Sequence, residues 1–438
     1  MTDIEVIYPN QSNTVTISKI ISEKYRVSDS IKIIKFGSWE KEMAIRMDET
    51  LVGEIMCLPA YLLDICELPA ELPYELKVND HKIEIGPVIA MVAFRDKREM
   101  TFKSLEKLKP RFLHYHRING LVFVCAANCI IPGADKIEGY YYNPSPKTLK
   151  DRWIFGEFPF PNVVYKRVPI DTDRYNYLAS KVENRIINSI FFLKADIAVE
   201  CEKDKDFASY FPHTEIIRNG QQLRDFITQF QTAYIKPSNG SQGEGIFKIT
   251  FDQHKRLKLT DRDKNITIIS SPNKLGNYLK EWRKKEYVVQ EAIHPTSKQA
   301  FDFRVYVQKN GLKKWVCQGM IGRIAKIGAI ITNLKYVDRI LEGHIAIKKY
   351  LHLDDQEAYK LEKRIHDHCI GVCKEIDKRF GTYGDVAVDV IIDSSLRIWI
   401  LEINKVYGYN SVKKIKNQQL LNTLYSTPFD YAKALTGF

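Results

Sequence analysis

The sequence predicts a protein of several domains that combines α/β and α+β folds. Residues 1–85 contain short segments in which apolar and polar residues alternate, a period typical of half-buried strands. Residues 86–185 alternate strand-like and helix-like segments, which favours a small α/β layer. Residues 186–410 hold several strands that carry charged side chains, and residues 411–438 are predicted to form a closing helix. A chain of 438 residues is long enough for about two to four such domains.

The N-terminal part shows no recognisable chemistry. We expect residues 1–85 to form a small β-barrel or sandwich, with a hairpin turn at Asn79 and Asp80. Residues 100–118 are predicted to form a helix. The apolar segment GLVFVCAANCII (120–131) is predicted to be a buried strand or helix.

Charge and hydropathy narrow the class of protein. The net charge is +12 and the pI is near 9.0, a balance that attracts anions such as nucleotides, acidic peptides and nucleic acid. We find no signature of a nucleic-acid-binding domain and therefore predict no specific nucleic-acid partner. No segment approaches the ~20 apolar residues that span a membrane, and the opening MTDIEVIYPNQSN lacks the features of a signal peptide. We expect a cytoplasmic protein with no membrane partner.

The eight cysteines are scattered and include no CxxC pair, so we expect them to be reduced and unpaired. Cys369 and Cys373 are spaced i, i+4 within LEKRIHDHCIGVCKEIDKRF, a pattern that predicts an amphipathic helix with both cysteines on its apolar face. His366 and His368 lie nearby, so a zinc site stays open as the alternative.

The segment AYIKPSNGSQGEGIFKI (233–249) predicts a glycine-rich hairpin. Its first strand ends near Lys236, and a second strand follows the loop. Gly240, Gly243 and Gly245 would let backbone N–H groups converge on an anion without hindrance from Cβ atoms. The G-K-[ST] sequence and the following helix of a Walker A loop are absent. A hairpin of small residues without a ligand is the alternative.

Three later segments predict strands with polar side chains. In EYVVQEAIHP, an apolar strand ends at Gln290 and Glu291, where backbone groups could meet the edge of an adenine ring. FDFRVYVQKNG predicts an alternating strand that carries Asp302 and Arg304. KKWVCQGMIGRIAKIGAIITN predicts a pair of strands that carries Arg323.

The segment GDVAVDVIIDSSLRIWILEIN predicts a hairpin of two apolar strands, 386–392 and 396–403. Such a hairpin brings Asp389 beside Glu402 and Asn404, and the last two face the same side because they are two residues apart. Three oxygen ligands on one face suit Mg²⁺. Two carboxylates in an apolar hairpin are costly to bury unless they are paired or bind a metal. Two solvent-facing acids on an edge hairpin are the alternative.

The order of these motifs resembles the ATP-grasp fold. The resemblance covers roughly residues 190–410, and the 13-residue step from Asp389 to Glu402 fits the metal-ligand spacing of that superfamily. It implies two α+β subdomains that clamp ATP with Mg²⁺ in residues 186–410. A small α/β pre-ATP-grasp domain and an N-terminal β-rich domain would precede them.

The resemblance also implies roles for the matching residues. The phosphates of ATP would be bound by Lys194, Lys236, Ser238, Gly240, Ser241, Gly243 and Gly245. The adenine and ribose would be bound by Gln290, Glu291, Ile293 and Asp302. The catalytic side chains would be Lys236, Arg304 and Arg323, and the substrate would meet Arg323 and Asn333. The Mg²⁺ ligands would be Asp389, Glu402 and Asn404.

Longer phrases are similar to the YheC/YheD family of ATP-grasp proteins, which is named for an association with endospore coats. They include FPNVVYKRVP (160–169), FDFRVYVQKNGLKKWVCQG (301–319) and TPFDYAKAL (427–435). The chain departs from the family in TNLKYVDRI, which lacks a Gly-Gly pair, and in EINKVYGYNS, which lacks a proline after the metal-binding asparagine.

The resemblance implies an ATP- and Mg²⁺-dependent carboxylate–amine ligase that acts through an acyl-phosphate on an amino acid, peptide or peptidic natural product. Two alternatives stay open: a coat-associated ATP-grasp scaffold with little or no turnover, and an ATP-dependent kinase of a small molecule or peptide. The expected partners are a small-molecule or peptide substrate, other spore-coat proteins and a second copy of the chain in a homodimer. Spore association would accompany the cytoplasmic location.

Overall fold

The computed structural model describes residues 2–7, 13–240, 243–294, 299–329, 332 and 336–438. Four β-sheets follow one another along this part of the chain. The first sheet consists of β1 (Asp3–Ile7), β2 (Thr14–Ser18), β3 (Ser30–Phe36), β4 (Trp39–Asp48), β5 (Ile55–Pro59), β6 (Glu75–Val78) and β7 (Lys82–Gly86). The second consists of β8 (Val88–Phe94), β9 (Leu121–Ala126), β10 (Lys136–Tyr142), β11 (Trp153–Pro159), β12 (Val163–Lys166) and β13 (Ile186–Ile187).

All described strands beyond residue 210 belong to the last two sheets. The third sheet consists of β14 (Thr214–Ile216), β15 (Thr232–Pro237), β16 (Phe247–Phe251), β17 (Leu257–Asp261), β18 (Ile266–Ile269) and β19 (Tyr287–Glu291). The fourth consists of β20 (Phe301–Lys309), β21 (Trp315–Ala325), β22 (Val337–Glu342), β23 (Asp385–Ile392) and β24 (Ile398–Asn404).

Helices lie between and after these strands. They are α1 (Lys19–Tyr25), α2 (Ala60–Cys66), α3 (Phe102–Glu106), α4 (Thr172–Lys181), α5 (Lys194–Lys203), α6 (Lys205–Ala208), α7 (Gly220–Phe230), α8 (Pro272–Lys284), α9 (Gly343–Leu351), α10 (Asp355–Phe380), α11 (Asn410–Lys414) and α12 (Gln418–Thr436). Within the described ranges, no helix combines the length and the hydropathy needed to cross a membrane.

The first sheet has the strand order β1-β5-β2-β4-β3-β7-β6. Its two outer strands meet through backbone hydrogen bonds between Thr2 and Tyr74, with N–O distances of 2.8 and 3.0 Å, so the sheet closes on itself as expected for a barrel. The predicted hairpin turn is confirmed, because the Asn79 Oδ1 accepts hydrogen bonds from the backbone N–H groups of His81 and Lys82.

The second sheet has the order β11-β10-β9-β8-β12-β13, with β9, β8, β12 and β13 parallel. The prediction of one helix over residues 100–118 is wrong. Helix α3 is followed by two short 3₁₀ helices, Lys109–Phe112 and Tyr115–Arg117. Pro110 lies at the start of the first of these, where its ring removes a backbone N–H that a continuous α-helix would need.

The third and fourth sheets are antiparallel, with the orders β14-β19-β15-β16-β17-β18 and β22-β21-β20-β23-β24. The side chains of strand β20 alternate between a buried apolar face and a polar face of the fourth sheet. Phe303, Val305 and Val307 pack into the core that includes α10, so the alternate side chains of this strand face the opposite side of the sheet. The segment predicted as a strand pair around Arg323 contains one long strand, β21, within its described residues 313–329 and 332, and β21 pairs with β22.

The long helix α10 buries Cys369 and Cys373 among apolar side chains, as the amphipathic pattern predicts. All eight cysteines are free. In the described part of the chain, no group of three or more His, Cys, Asp and Glu side chains is placed to hold a metal ion.

The C-terminal helix α12 joins parts of the chain that are far apart in sequence. Phe429, Tyr431 and Ala432 belong to the same core as the first two sheets. Leu420 and Leu424 pack instead with side chains of the fourth sheet. The helix therefore fixes the second sheet against the fourth.

Candidate functional site

A cavity of about 230 Å³ lies between the third and fourth sheets. Most of the sequence-predicted site residues that the structure describes line it: Lys194, Lys236, Gly240, Gly243, Gln290, Glu291, Ile293, Asp302, Arg304, Arg323, Asp389, Glu402 and Asn404. Lys194 and Asn404, which are 210 positions apart in the chain, thus line the same cleft, and no local pattern required this.

The third sheet contributes the Lys236 side of the cavity. Antiparallel pairing of β15 with β19 brings Lys236 next to Gln290, and the Lys236 Nζ donates a 2.5 Å hydrogen bond to the Gln290 Oε1. The Gln290 Nε2 donates to the Thr214 Oγ1 at 3.0 Å. Burial lowers the pKa of Lys236 to about 8, although Glu402 opposes this shift. A phosphate at this position would restore a full charge to the lysine.

Some residues of the glycine-rich loop line the cavity, and others hold the loop against neighbouring elements. Gly240 and Gly243 line the cavity, whereas Ser238 is buried and its Oγ accepts a 2.9 Å hydrogen bond from the backbone N–H of Ala195 at the start of α5. Gly245 has a φ of +69°, and a Cβ there would lie 2.5 Å from the Tyr287 hydroxyl. Ser241 lies outside the described residues.

The fourth sheet carries a row of charged side chains on one face. Asp302 on β20 pairs with Arg323 on β21, and Arg304 pairs with Asp389 on β23. Asp389 pairs in turn with Glu402 on β24. Because directly paired residues of neighbouring strands project to the same side, all five side chains face the cavity.

Two bidentate ion pairs hold this row. Arg304 donates to both oxygens of Asp389 at 2.8 Å, and Arg323 donates to those of Asp302 at 2.7 and 2.6 Å. Arg323 also lies 3.1 Å from the Asp389 Oδ2. Thr332 donates a further hydrogen bond to Asp302. A ribose hydroxyl would have to share Asp302 with these partners.

The acidities of the row follow from burial and charge. Burial raises the pKa of Asp389, but the two arginines outweigh it and hold that pKa at about 2. For Asp302, burial outweighs Arg323 and the pKa is raised. Burial lowers the pKa of Arg323, yet the two neighbouring carboxylates raise it overall. At neutral pH the row therefore contains two firmly charged arginines and an ionised Asp389.

Three side chains supply oxygen atoms suited to Mg²⁺. The Asn404 Nδ2 lies 3.4 Å from the Asp389 Oδ2, which leaves the Asn404 amide oxygen available. The Glu402 Oε1 lies 3.0 Å from the Lys194 Nζ, and the same ammonium lies 3.3 Å from the Gly240 carbonyl. A carboxylate oxygen accepts about two hydrogen bonds, so the Asp389 Oδ1, which accepts one from Arg304, and the Glu402 carboxylate keep lone pairs for a cation.

Lys405 and Thr332 are two of the side chains at the site that were not predicted from the sequence. Lys405 lines a chamber of about 120 Å³ that shares Lys194, Lys236 and Glu402 with the main cavity. Its Nζ donates a 2.5 Å hydrogen bond to the Phe192 carbonyl, and burial lowers its pKa to about 8. The sequence feature that could have identified Lys405 was its position directly after Asn404.

The second missed residue, Thr332, contacts Asp302 from the segment after β21. Its hydroxyl was the only sequence signal, and hydroxyls are too common to single it out. The neighbouring Asn333, predicted to meet the substrate, lies outside the described residues.

A cleft between two antiparallel sheets, with lysines on one side and the Asp/Glu/Asn hairpin on the other, defines an ATP-grasp protein. A family model described as "YheC/D like ATP-grasp" matches residues 183–435, more than half of the chain. The chain therefore belongs to the YheC/D-like ATP-grasp family, as the sequence resemblance indicated.

Two curated relatives come from Bacillus subtilis (strain 168). The chain is 24% identical to the endospore coat-associated protein YheD over 414 residues, which cover 90% of this chain and 86% of YheD. It is 20% identical to the endospore coat-associated protein YheC over 318 residues, which cover 68% of this chain and 84% of YheC.

Two solved ligase structures are also similar to this chain. PsnB complexed with minimal precursor, Mg and ADP has a TM-score of 0.43 at 12% identity, covering 80% of this chain and 98% of that chain. The VanG D-Ala:D-Ser ligase from Enterococcus faecalis has a TM-score of 0.43 at 14% identity, covering 77% of this chain and 98% of VanG.

Proposed function

We propose that this protein is an ATP- and Mg²⁺-dependent ligase that joins a carboxylate to an amine through an acyl-phosphate. The observation that carries the proposal is the opposition of Lys236 and the glycine-rich loop to Asp389, Glu402 and Asn404 across one cavity of about 230 Å³. Cationic and N–H donors on one side and hard oxygen donors on the other suit a magnesium-bound polyphosphate.

The chain's own residues would position the nucleotide. Lys194 and Lys236 would bind phosphate oxygens, and a phosphate would compete with Glu402 and Gln290 for their ammonium groups. Adenine would lie against the end of β19, where Glu291 and Ile293 line the cavity. Mg²⁺ on the Asp389 hairpin would neutralise phosphate charge.

The two arginines would act at the transferred group. Arg304 and Arg323 project into the cavity from neighbouring strands and stay charged at neutral pH. Fixed cations in a partly dry cleft stabilise charge as it develops on a phosphoryl group. Phosphoryl transfer needs positioning and charge neutralisation rather than a protein nucleophile, in agreement with the side chains of this cavity.

A coat-associated role with little turnover is the second candidate. The curated relatives are named endospore coat-associated proteins, and that name favours a function at the spore surface. The pairing of Asp389 with both arginines also favours it, since Arg304 and Arg323 would have to leave Asp389 before they could bind a transferred phosphate. A kinase that stops at the phosphorylated substrate differs from a ligase only in its product.

One experiment separates these functions. Binding of ATP is measured by calorimetry with and without Mg²⁺ on the wild type and on Glu402→Ala, and ADP release is then measured with panels of amino acids and peptides. We expect Mg²⁺-dependent binding that the substitution abolishes, and ADP release that requires both a carboxylate and an amine. Binding without ADP release would favour the coat-associated role, and ADP release without an amine would favour the kinase. Absence of binding in the wild type would refute the proposal.

A further inference from the structure

The carboxylate of Asp385 is fully buried outside the cavity and accepts four hydrogen bonds. Its Oδ1 accepts from the Gln308 Nε2 at 2.8 Å and from the Tyr407 hydroxyl at 2.5 Å. Its Oδ2 accepts from the Arg167 Nη1 at 2.7 Å and from the Tyr165 hydroxyl. So complete a set of donors around one buried carboxylate fixes its position.

These donors connect the second sheet to the hairpin that carries the candidate metal ligands. Tyr165 belongs to β12 and Arg167 follows it, whereas Asp385 begins β23, four residues before Asp389. The Arg167 Nη2 also donates to the Tyr407 carbonyl at 2.9 Å. Tyr407 follows the end of β24, so the region after β12 holds both ends of the hairpin.

Asn188, which follows β13, ties the same two ends through the backbone. Its Nδ2 donates to the carbonyls of Asp385 and Lys405 at 2.8 and 2.9 Å. Its Oδ1 accepts from the N–H groups of Gly384 and Asp385 at 3.2 and 3.3 Å. The start of β23 and the residue after Asn404 are thereby fixed to one buried side chain.

Charge makes the carboxylate hard to replace. Arg111 and Arg167 are both buried, and the Arg111 Nη2 donates to the Tyr409 hydroxyl at 2.7 Å. Within this buried cluster, Asp385 is the carboxylate that faces them. An amide in its place would leave two buried guanidinium groups without a compensating charge.

We propose that Asp385 is a positioning residue for the metal site: through Arg167 and Tyr407 it holds Asp389, Glu402 and Asn404 in the geometry that binds a divalent cation. The inference rests on the proposed nucleotide and Mg²⁺ function and adds that the second sheet controls metal affinity. Residues that orient metal ligands through hydrogen bonds typically contribute about 10–100-fold to affinity.

The test uses Mn²⁺ as a spectroscopic probe in the presence of ADP, with the full-length wild type and Asp385→Asn. We expect the substitution to weaken Mn²⁺ binding at least tenfold and to change the electron paramagnetic resonance line shape of the bound ion. Binding of ADP without metal should stay within about twofold, because Lys194 and Lys236 are untouched.

Glu106→Gln is the matched control. This substitution replaces a carboxylate that accepts hydrogen bonds from Arg152 and Trp153. The carboxylate lies near strand β11, at the edge of the second sheet opposite β13. An equal loss of Mn²⁺ affinity in this control would overturn the inference, since the loss would then reflect general weakening of the second sheet.

Tyr165→Phe provides a second variant that removes one donor to Asp385 and keeps the ring. We expect it to weaken Mn²⁺ binding about threefold, so the test holds even where Asp385→Asn does not fold. Unchanged Mn²⁺ affinity in the variants, with normal binding by the wild type, would overturn this inference alone. No Mn²⁺–ADP binding by the wild type would overturn it together with the proposed function.

Discussion

Arg304 and Asp389 lie directly opposite each other on β20 and β23, and two hydrogen bonds of 2.8 Å join the guanidinium to the carboxylate. The same carboxylate is a candidate metal ligand. A cation at Asp389 would repel Arg304 and release it toward a phosphate. At the proposed metal site, the ion pair would therefore link binding of the metal to release of the arginine.

Arg304→Met should destabilise the protein by about 3 kcal/mol, because removal of one partner leaves a buried carboxylate with less compensation. Urea unfolding measures the change. Arg98→Met is the control: Arg98 pairs with Asp96 on the surface, with 87% of its side chain exposed, and its loss should have little effect. Equal stability of the two variants would show that the Arg304–Asp389 pair contributes nothing.

Lys194→Met should weaken ADP binding about tenfold in the presence of Mg²⁺ and leave the unfolding free energy nearly unchanged. Lys194 begins α5, lines the cavity and pairs with Glu402 at its edge. Lys203→Met, on the same helix, removes a surface pair with Glu200 and serves as the control for helix stability. Calorimetry measures the ADP affinity of each variant. An unaltered affinity in Lys194→Met would show that Lys194 does not bind the phosphates.

The pKa of Lys236, lowered to about 8, predicts opposite effects of alkaline pH on binding and on stability. Above pH 8 the lysine loses its charge in the free protein, so ADP affinity should fall by about tenfold between pH 7.5 and 9.5. In the folded protein the pKa of Lys236 is below the usual lysine value of 10.5, so keeping its buried ammonium charged lowers the free energy of unfolding below pH 8. This cost is relieved as the pH rises toward 10.5, and the free energy of unfolding should increase.

Lys236→Arg tests this assignment, since a guanidinium stays charged over the whole range. Its ADP affinity should be nearly constant from pH 7.5 to 9.5, as measured by titration at several pH values. A wild-type affinity that does not fall over this range would exclude Lys236 as the titrating group.

Gly245→Ala should destabilise the protein by about 1–2 kcal/mol, because the residue has a φ of +69° and its Cβ would approach the Tyr287 hydroxyl to 2.5 Å. Gly276→Ala is the matched control. Gly276 lies within α8 and a Cβ there would meet nothing within 4 Å, so that variant should be slightly more stable. Thermal unfolding of both variants checks the prediction, and the same direction of change in both would contradict it.

Local patterns predicted much of the third and fourth sheets. The two strands around the glycine-rich loop and the Asp389 hairpin lie close to their predicted positions, because alternation and turn residues act over a few positions. The prediction of one helix over residues 100–118 was wrong because longer-range effects outweighed the local pattern. Its apolar residues fit a helical period, but Pro110 and packing against the second sheet break it into short turns.

Residue types and their spacing predicted which chemical groups the site contains: the lysine with its glycine-rich loop, the Asp-x-Arg strand and the Asp/Glu/Asn hairpin. How these groups pair depends on long-range packing. Strand order places Arg304 against Asp389 and Arg323 against Asp302, and α12 brings the second sheet close enough for Arg167 to reach Asp385. Side-chain type and spacing are local properties of a chain, whereas charge pairing depends on which strands become neighbours, and long-range packing settles that choice.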